Sequence, residues 1–298
     1  MADDPTPSPT LAPGHPLLRA DRRILTTRAA LRALGRIAPG ATARIAEALF
    51  VKTSRPAPRP DEAAWLGTAA RFTVRAAGQT IAGYAWGSQG PIVVVAHGWW
   101  SHAGRFAPLA KGLLDAGMRV VAYDAPGHGR STGWRATMPE FAATIRAVGD
   151  HHGPLHAVVG HSLGGSASIF ALARGLNASR AVLIAAPADI TSWLVRFRDT
   201  FELPEGIYTR MQRNMQHRLR LTWDDLDLPV LARQLTQPAL IVHDMQDSDV
   251  PYAEGKQLAE AWRGSILHTT EKLGHRAILR DRAVIDTVVD FLRVGGTP

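Results

Sequence analysis

From about residue 66 the chain alternates short apolar runs with segments whose apolar positions recur at helical spacing. Arg71–Arg75 and Thr80–Trp86 predict an opening hairpin. Ile92–Ala96 is wholly apolar, and Arg119–Tyr123, Leu155–Val159, Ala181–Ala185, Pro238–Val242 and Ile266–Thr269 have the same strand-like length and character. Between them Phe106–Ala116, Pro139–Asp150, Leu163–Leu176, Ala253–Trp262 and Asp281–Leu292 predict helices. Strands apolar on both faces need cover on both faces. The expected fold is therefore α/β, a mostly parallel central sheet covered by helices on both sides.

Two stretches depart from this rhythm. Residues of about 188–235 are helical and aromatic and contain no buried strand, which reads as a small helical lid inserted over the strand ends. Residues 17–51 read as helix, from Leu17, Leu18, Ile24, Leu25, Leu31, Leu34 and later apolar positions with Arg between them; Pro39-Gly40 divides the stretch in two. A Pro-rich run, Arg55–Pro60, then reads as an extended linker. The expected organisation is a Pro-rich start and basic helical N-terminal extension over 1–60, and one catalytic-type domain over 61–298.

Composition narrows the chemistry. The chain has 298 residues and no Cys, so disulfides, thiolate metal sites and a Cys nucleophile are excluded. Of a net charge of +8, residues 1–60 carry a surplus of six, ten basic against four acidic residues. The rest of the chain is close to neutral, which argues against nucleic acid as a partner. A helix packed on the body, or used for homodimerisation, is the commoner outcome for such a basic extension; contact with an anionic membrane surface is the other use it admits. Residues 1–16 are rich in Pro, Ser and Thr and read as disordered, and residues 1–20 lack the pattern of a secretion signal. Cytoplasm is the default expectation.

The chemistry centres on Gly160-His161-Ser162-Leu163-Gly164, a G-x-S-x-G run with an apolar strand before it and a helix-forming run after it. A Ser at so sharp a strand-to-helix turn takes a strained backbone, and side chains two residues either side would strike the neighbouring chain. A Ser nucleophile needs a base, and the base needs an orienting carboxylate; where such a Ser turn sits on a helix-covered parallel sheet, the chain order is Ser, then acid, then His. Only His217, His243, His268 and His275 lie well downstream. His217 falls in the lid, His243 ends a strand and His268 lies within one. His275 follows Gly274 in a loop and is the expected base. Of the nearby acids Asp247 has the best spacing. Asp244 is close enough to the strand to shape its turn, Asp249 suits an N-cap for the next helix, and Asp189 is a less favoured acid.

Five segments in the same order resemble the α/β-hydrolase family, in particular its bacterial serine esterases and lipases. They are Val93-Val94-Val95-Ala96-His97-Gly98-Trp99-Trp100, then Tyr123-Asp124-Ala125-Pro126-Gly127-His128-Gly129-Arg130-Ser131, the Gly160–Gly165 elbow, Asp247-Ser248-Asp249-Val250-Pro251 and Gly274-His275. The resemblance spans residues of about 70–293. It implies an oxyanion hole made by the backbone N–H groups of Trp99 and Leu163, and it makes His97 a turn-shaping residue. His128, in its Gly-bracketed turn, reads as structural.

Trp100, Trp193, Phe197 and Met211 are the candidate lining of an apolar substrate pocket. Arg196, Arg198, Arg210, Arg213, Arg218 and Arg220 read as a solvated face. The expected activity is cleavage of a small to medium, fairly apolar carboxylic ester through an acyl-enzyme, requiring no metal or cofactor. A thioester, an amide or a C–C bond would use the same triad. A catalytically weak ligand-binding or scaffold member of the fold is the expectation from another class. No His-x-His-x-Asp-His or His-Glu-x-x-His run supports a metal hydrolase, and Ser at 162 argues against an Asp nucleophile.

Overall fold

A computed structural model describes residues 22–293. The Pro-rich start, the signal-peptide reading and the first helical positions, Leu17 and Leu18, lie outside the described residues. Eight strands form one sheet in the order β1-β2-β4-β3-β5-β6-β7-β8. They are β1 (Ala70–Ala76), β2 (Gln79–Trp86), β3 (Ile92–Ala96), β4 (Arg119–Tyr123), β5 (Leu155–His161), β6 (Ala178–Ile184), β7 (Ala239–Asp244) and β8 (Ile266–Thr270). Only β2 runs against its neighbours; β4, β3 and β5 to β8 are parallel. The β1–β2 hairpin closes on Ala77-Gly78, both at positive φ, the pair of left-handed residues that a tight two-residue turn requires.

Alternation within the strands sends side chains to two cores. Val94, Val121, Leu183 and Ile241 face one side, where α5 (Met138–His152), α6 (Leu163–Ala173) and α10 (Tyr252–Ala261) bury Phe141, Ile145, Ile169 and Leu258. Val93, Val120, Val182 and Val242 face the other, against α4 (Ala107–Asp115) and α12 (Arg282–Arg293). In α12 Val284, Ile285, Val288, Val289 and Leu292 form a single apolar face. Parallel strands linked by helices place all their carboxyl ends, and the loops after them, along one edge of the sheet.

Between β6 and β7 the chain leaves the sheet and forms α7 (Ser192–Phe201), α8 (Glu205–Leu219) and the short α9 (Leu228–Ala232). Two N-terminal helices, α1 (Arg22–Ile37) and α2 (Pro39–Phe50), pack on this insertion and are separated at Ala38, as Pro39 predicts. A third core joins them, with Leu31, Ala43 and Ala46 of the extension against Leu194, Ile207 and Met211 of the insertion. Ion pairs flank it. Glu47, buried, takes Arg218 at 2.7 Å, and Glu202 takes both Arg28 and Arg32. Beyond α2, Val51 and Thr53 pair with Ala136 and Trp134 ahead of α5. The extension thus spends its inner apolar stripe on the body, while Leu25, Ile37 and Ile45 remain outward and exposed. No helix among the described residues is long and apolar enough to cross a membrane.

Two short helices escape the sequence pattern. α3 (Pro60–Gly67) begins inside the expected linker, with Pro at its first turn and the Glu62 carboxylate accepting the Arg59 N–H at 2.9 Å. A short α11 (Gly274–Ala277) also forms and carries His275.

Candidate active site

Ser162 sits on the turn between β5 and α6 with φ 53 and ψ −128, a left-handed conformation forced on a non-glycine residue. The flanking glycines show why the turn can be made. A Cβ on Gly160 would lie 2.4 Å from Gly164 O, and one on Gly164 would lie 2.2 Å from Ala96 O. Ser162 N–H is anchored to Ile184 O at 2.9 Å, which fixes the turn to the end of β6.

His275 lies across the sheet edge from this turn. Its Nδ1 is 2.7 Å from Asp247 Oδ2, and Asp247 Oδ1 accepts from the Asp249 and Val250 amides at 2.8 and 2.9 Å. Burial pushes the Asp247 carboxyl up, but the hydrogen bond and charge of His275 together with those two amides outweigh it. The group is held below the ordinary carboxylate range. Ser162 and His275 line the same cavity, and no hydrogen bond joins their side chains in this structure. Such contacts in unliganded enzymes commonly tighten only once substrate is bound.

The remaining candidates fall elsewhere. Asp244 shapes the turn after β7, accepting from Gln246 N, Thr270 Oγ1 and Leu273 N. Asp249 does not cap α10, whose N-cap is Pro251; its N–H is taken by Asp247 and its carboxylate faces Arg276. Asp189 is exposed and bonds Thr191 at the start of α7. His217 is exposed on α8, and His268 lies in the edge strand β8.

Trp99 and Leu163 bracket Ser162. Leu163 is the first residue of α6, so its N–H has no acceptor within the helix. A Cβ on Gly98 would come within 2.9 Å of Ser162 Cβ, so the Gly98–Trp99 backbone lies against the Ser. That turn is held by two buried histidines. His97 donates Nδ1–H to Gly98 O at 2.7 Å and accepts from Ala125 N–H at 2.9 Å. His128 donates to Pro126 O and accepts the Trp100 N–H at 3.1 Å. Burial lowers their pKa values to about 4 and about 3, so both are neutral and serve as fixed hydrogen-bonding struts. Asp124 completes the frame by accepting from Ala103 N, Arg130 N and Tyr84 Oη.

Ser162 opens into a cavity of about 810 Å3. Trp100, Trp193 and Phe197 line it. Met211 does not: it is fully buried in the core between extension and insertion. Arg196, expected on a solvated face, is also buried, with Nη1 on Asp249 O at 3.0 Å and its guanidinium over the Trp193 ring.

Several wall residues lie beyond what the sequence pattern indicates. Leu49 and Phe50 come from the extension, and Arg59, Arg105 and Arg280 from three separate turns. His161, beside the Ser, donates Nε2–H to His275 O at 2.8 Å, its ring lies tilted 4.8 Å from that of His275, and its own pKa is lowered by burial to about 3. Its adjacency to Ser162 was the available signal. Among the described residues no three His, Asp or Glu side chains are grouped to hold a metal ion.

Two family models match the chain in succession. One, described as serine aminopeptidase S33, covers residues 87–226, and one described as TAP-like protein covers residues 224–298. A monoacylglycerol lipase of Mycolicibacterium smegmatis is 37% identical over 105 residues, 33% of this chain and 38% of that protein. A bifunctional esterase/perhydrolase of Acinetobacter calcoaceticus is 28% identical over 225 residues, 59% of this chain and 82% of that protein. The chain matches about two-fifths of the length of the monoglyceride lipases it resembles. In fold it is similar to an esterase of Pyrococcus furiosus, with a TM-score of 0.64 and 18% identity over 82% of this chain and 98% of that one. With the sheet order, the strained Ser turn and these matches agreeing, the chain belongs to the α/β-hydrolase family.

Proposed function

We propose that the protein is a serine hydrolase that cleaves a carboxylic ester, with Ser162 as nucleophile, His275 as general base and acid, and Asp247 as the residue that positions His275. The observation that carries this reading is the 2.7 Å Asp247–His275 pair opening on the same cavity as a Ser held in a strained turn. Relatives named lipase and esterase support the ester as substrate.

The chemistry follows from the placement. Asp247 holds the proton on His275 Nδ1, which leaves Nε2 to take the Ser162 hydroxyl proton as Oγ attacks the ester carbonyl. The oxyanion that forms is stabilised by the amides of Leu163 and Trp99, whose positions are fixed by α6 and by the His97 and His128 struts. One such donor is worth roughly 100- to 1,000-fold in rate. His275 then returns the proton to the departing alkoxide, leaving an acyl-Ser162. Water, deprotonated by the same His275, releases the acid and restores the Ser. The helices α7 to α9 act as a lid domain, and Trp193, Phe197 and Trp100 give the cavity its apolar character. Its size suits a small to medium ester.

A fluorophosphonate probe should label the wild-type protein, and p-nitrophenyl esters of short acids should be turned over. Both should vanish in Ser162→Ala at an unchanged thermal midpoint. A folded wild type that neither labels nor turns over any ester of an acyl-length series would overturn the reading.

A further inference from the structure

Three guanidinium groups meet at the cavity wall around one carboxylate. Glu62 of α3 is 1% exposed, and its Oε1 faces Arg280 Nη2 at 2.9 Å, Arg59 Nη2 at 3.2 Å and Arg105 Nη1 at 3.3 Å. Its Oε2 is bonded to the Arg59 N–H. A buried carboxylate needs a partner, and one guanidinium would satisfy it. Here Arg105 and Arg280 each direct one nitrogen at the same oxygen. Their side chains stay 33% and 35% exposed, and both line the cavity that holds Ser162.

The charge balance leaves a surplus. Arg59 is matched on its outer side by Asp61, bonded to both Nε and Nη2. Counting Asp61 and Glu62 against Arg59, Arg105 and Arg280 leaves one positive charge, shared by the two inner arginines. Neighbouring groups do not cancel it. Burial disfavours the charged form of His102, 3.6 Å from Glu62, and a histidine has no negative charge with which to cancel the surplus. Asp281 turns to the start of α12, where it accepts the Val284 N–H. Asp249, the acid that lines the cavity, faces Arg276 at 3.4 Å. The remaining cavity wall is largely aromatic and aliphatic.

We propose that Arg105 and Arg280, backed by Arg59 and Glu62, form a subsite for an anionic substituent on the substrate, so that the protein acts preferentially on esters that also carry a carboxylate. This rests on the ester-hydrolase reading for the reaction but not for the binding. Guanidinium groups present forked donors that match a carboxylate, and the low-polarity surroundings strengthen the contact. A single surplus charge fits a monoanion rather than a phosphate dianion. Glu62 acts as a positioning residue, holding both guanidinium planes on the wall.

The test pairs each monomethyl ester of a straight-chain dicarboxylic acid, from succinate to suberate, with its dimethyl ester. Binding to the Ser162→Ala protein is measured by calorimetry, and turnover by the wild type through acid release. At the best chain length the monoanion should bind, and in kcat/KM react, about tenfold or more better than the diester, the scale of a charge-assisted hydrogen bond. In Arg105→Gln/Arg280→Gln the ratio should fall to about one, and it should recover in part in Arg280→Lys. Inorganic phosphate should compete weakly. Equal binding of monoester and diester at every length, or a preference that survives loss of both arginines, would overturn the subsite. Carboxylate-selective binding without turnover of either ester would leave the subsite standing and sink the ester-hydrolase reading.

Discussion

At the scale of single residues the site depends on which atom of Asp247 faces which partner. Oδ1 is occupied by the Asp249 and Val250 amides, and Oδ2 by His275 Nδ1. Asp247→Asn can keep its remaining oxygen on the two amides, because they can only donate. Its NH2 then faces His275 and donates to Nδ1, which drives the ring proton to Nε2. A ring protonated at Nε2 cannot take the proton of Ser162. The variant should fold with nearly the wild-type thermal midpoint, while kcat falls by roughly 10,000-fold. Stopped-assay hydrolysis of a p-nitrophenyl ester beside a melting curve checks both halves. A drop of tenfold or less would mean that Asp247 does not set the tautomer. The motif residues at this scale were legible because backbone geometry dictates them. Only glycine fits at positions 160 and 164, where a Cβ would strike backbone. The arginine wall was not legible, since positions 59, 105 and 280 meet only through the packing of α3 against the turns after β3 and α11.

At the scale of elements, apolar patterning reports that a side chain is covered, not what covers it. Met211 and Trp193 belong to the same aromatic and aliphatic stretch, yet one is sealed between α2 and α8 and the other faces the cavity. The partner of α8 is a helix some 160 residues earlier, which no local window contains. The same limit hid α3: its Pro60 and Glu62 are helix-start signals, but the Pro-rich run before them reads equally well as an extended linker. The two fates predict different phenotypes. Met211→Ala leaves a cavity in a fully buried core and should cost about 2–5 kcal/mol of stability, with kcat/KM for a short ester little changed while the protein stays folded. Trp193→Ala should instead leave the urea midpoint close to wild type and raise KM for longer acyl chains. A reversal of the two patterns would mean that the insertion packs on the extension differently from the structure. By the same logic the extension is a wall of the site as well as a brace, since Leu49 and Phe50 reach the cavity.

For the molecule as a whole, the buried groups that hold the Gly98–Trp99 turn and the His275 loop also make stability sensitive to acid. His97, His128 and His161 are buried, and their pKa values are lowered to about 4, about 3 and about 3, first by desolvation. In the unfolded chain each titrates near the ordinary value of about 6.5. Between that value and the lowered ones the unfolded state binds more protons than the folded state, so stability falls as pH falls. The loss begins just below about pH 6.5 and reaches about 2 kcal/mol per histidine by about pH 5. Asp247 works in the same direction at lower pH. Its folded value is depressed, so its contribution is present above the unfolded carboxylate value and is lost as pH falls through the folded one. Urea unfolding across about pH 7.5 to 5 should therefore show a steadily falling midpoint. His128→Asn, which can still donate to Pro126 and accept from Trp100 but does not titrate, should start lower and fall less steeply. A midpoint that does not move between neutral pH and about pH 5, or a slope unchanged in His128→Asn, would show that the buried histidines are not the groups that couple this fold to protons.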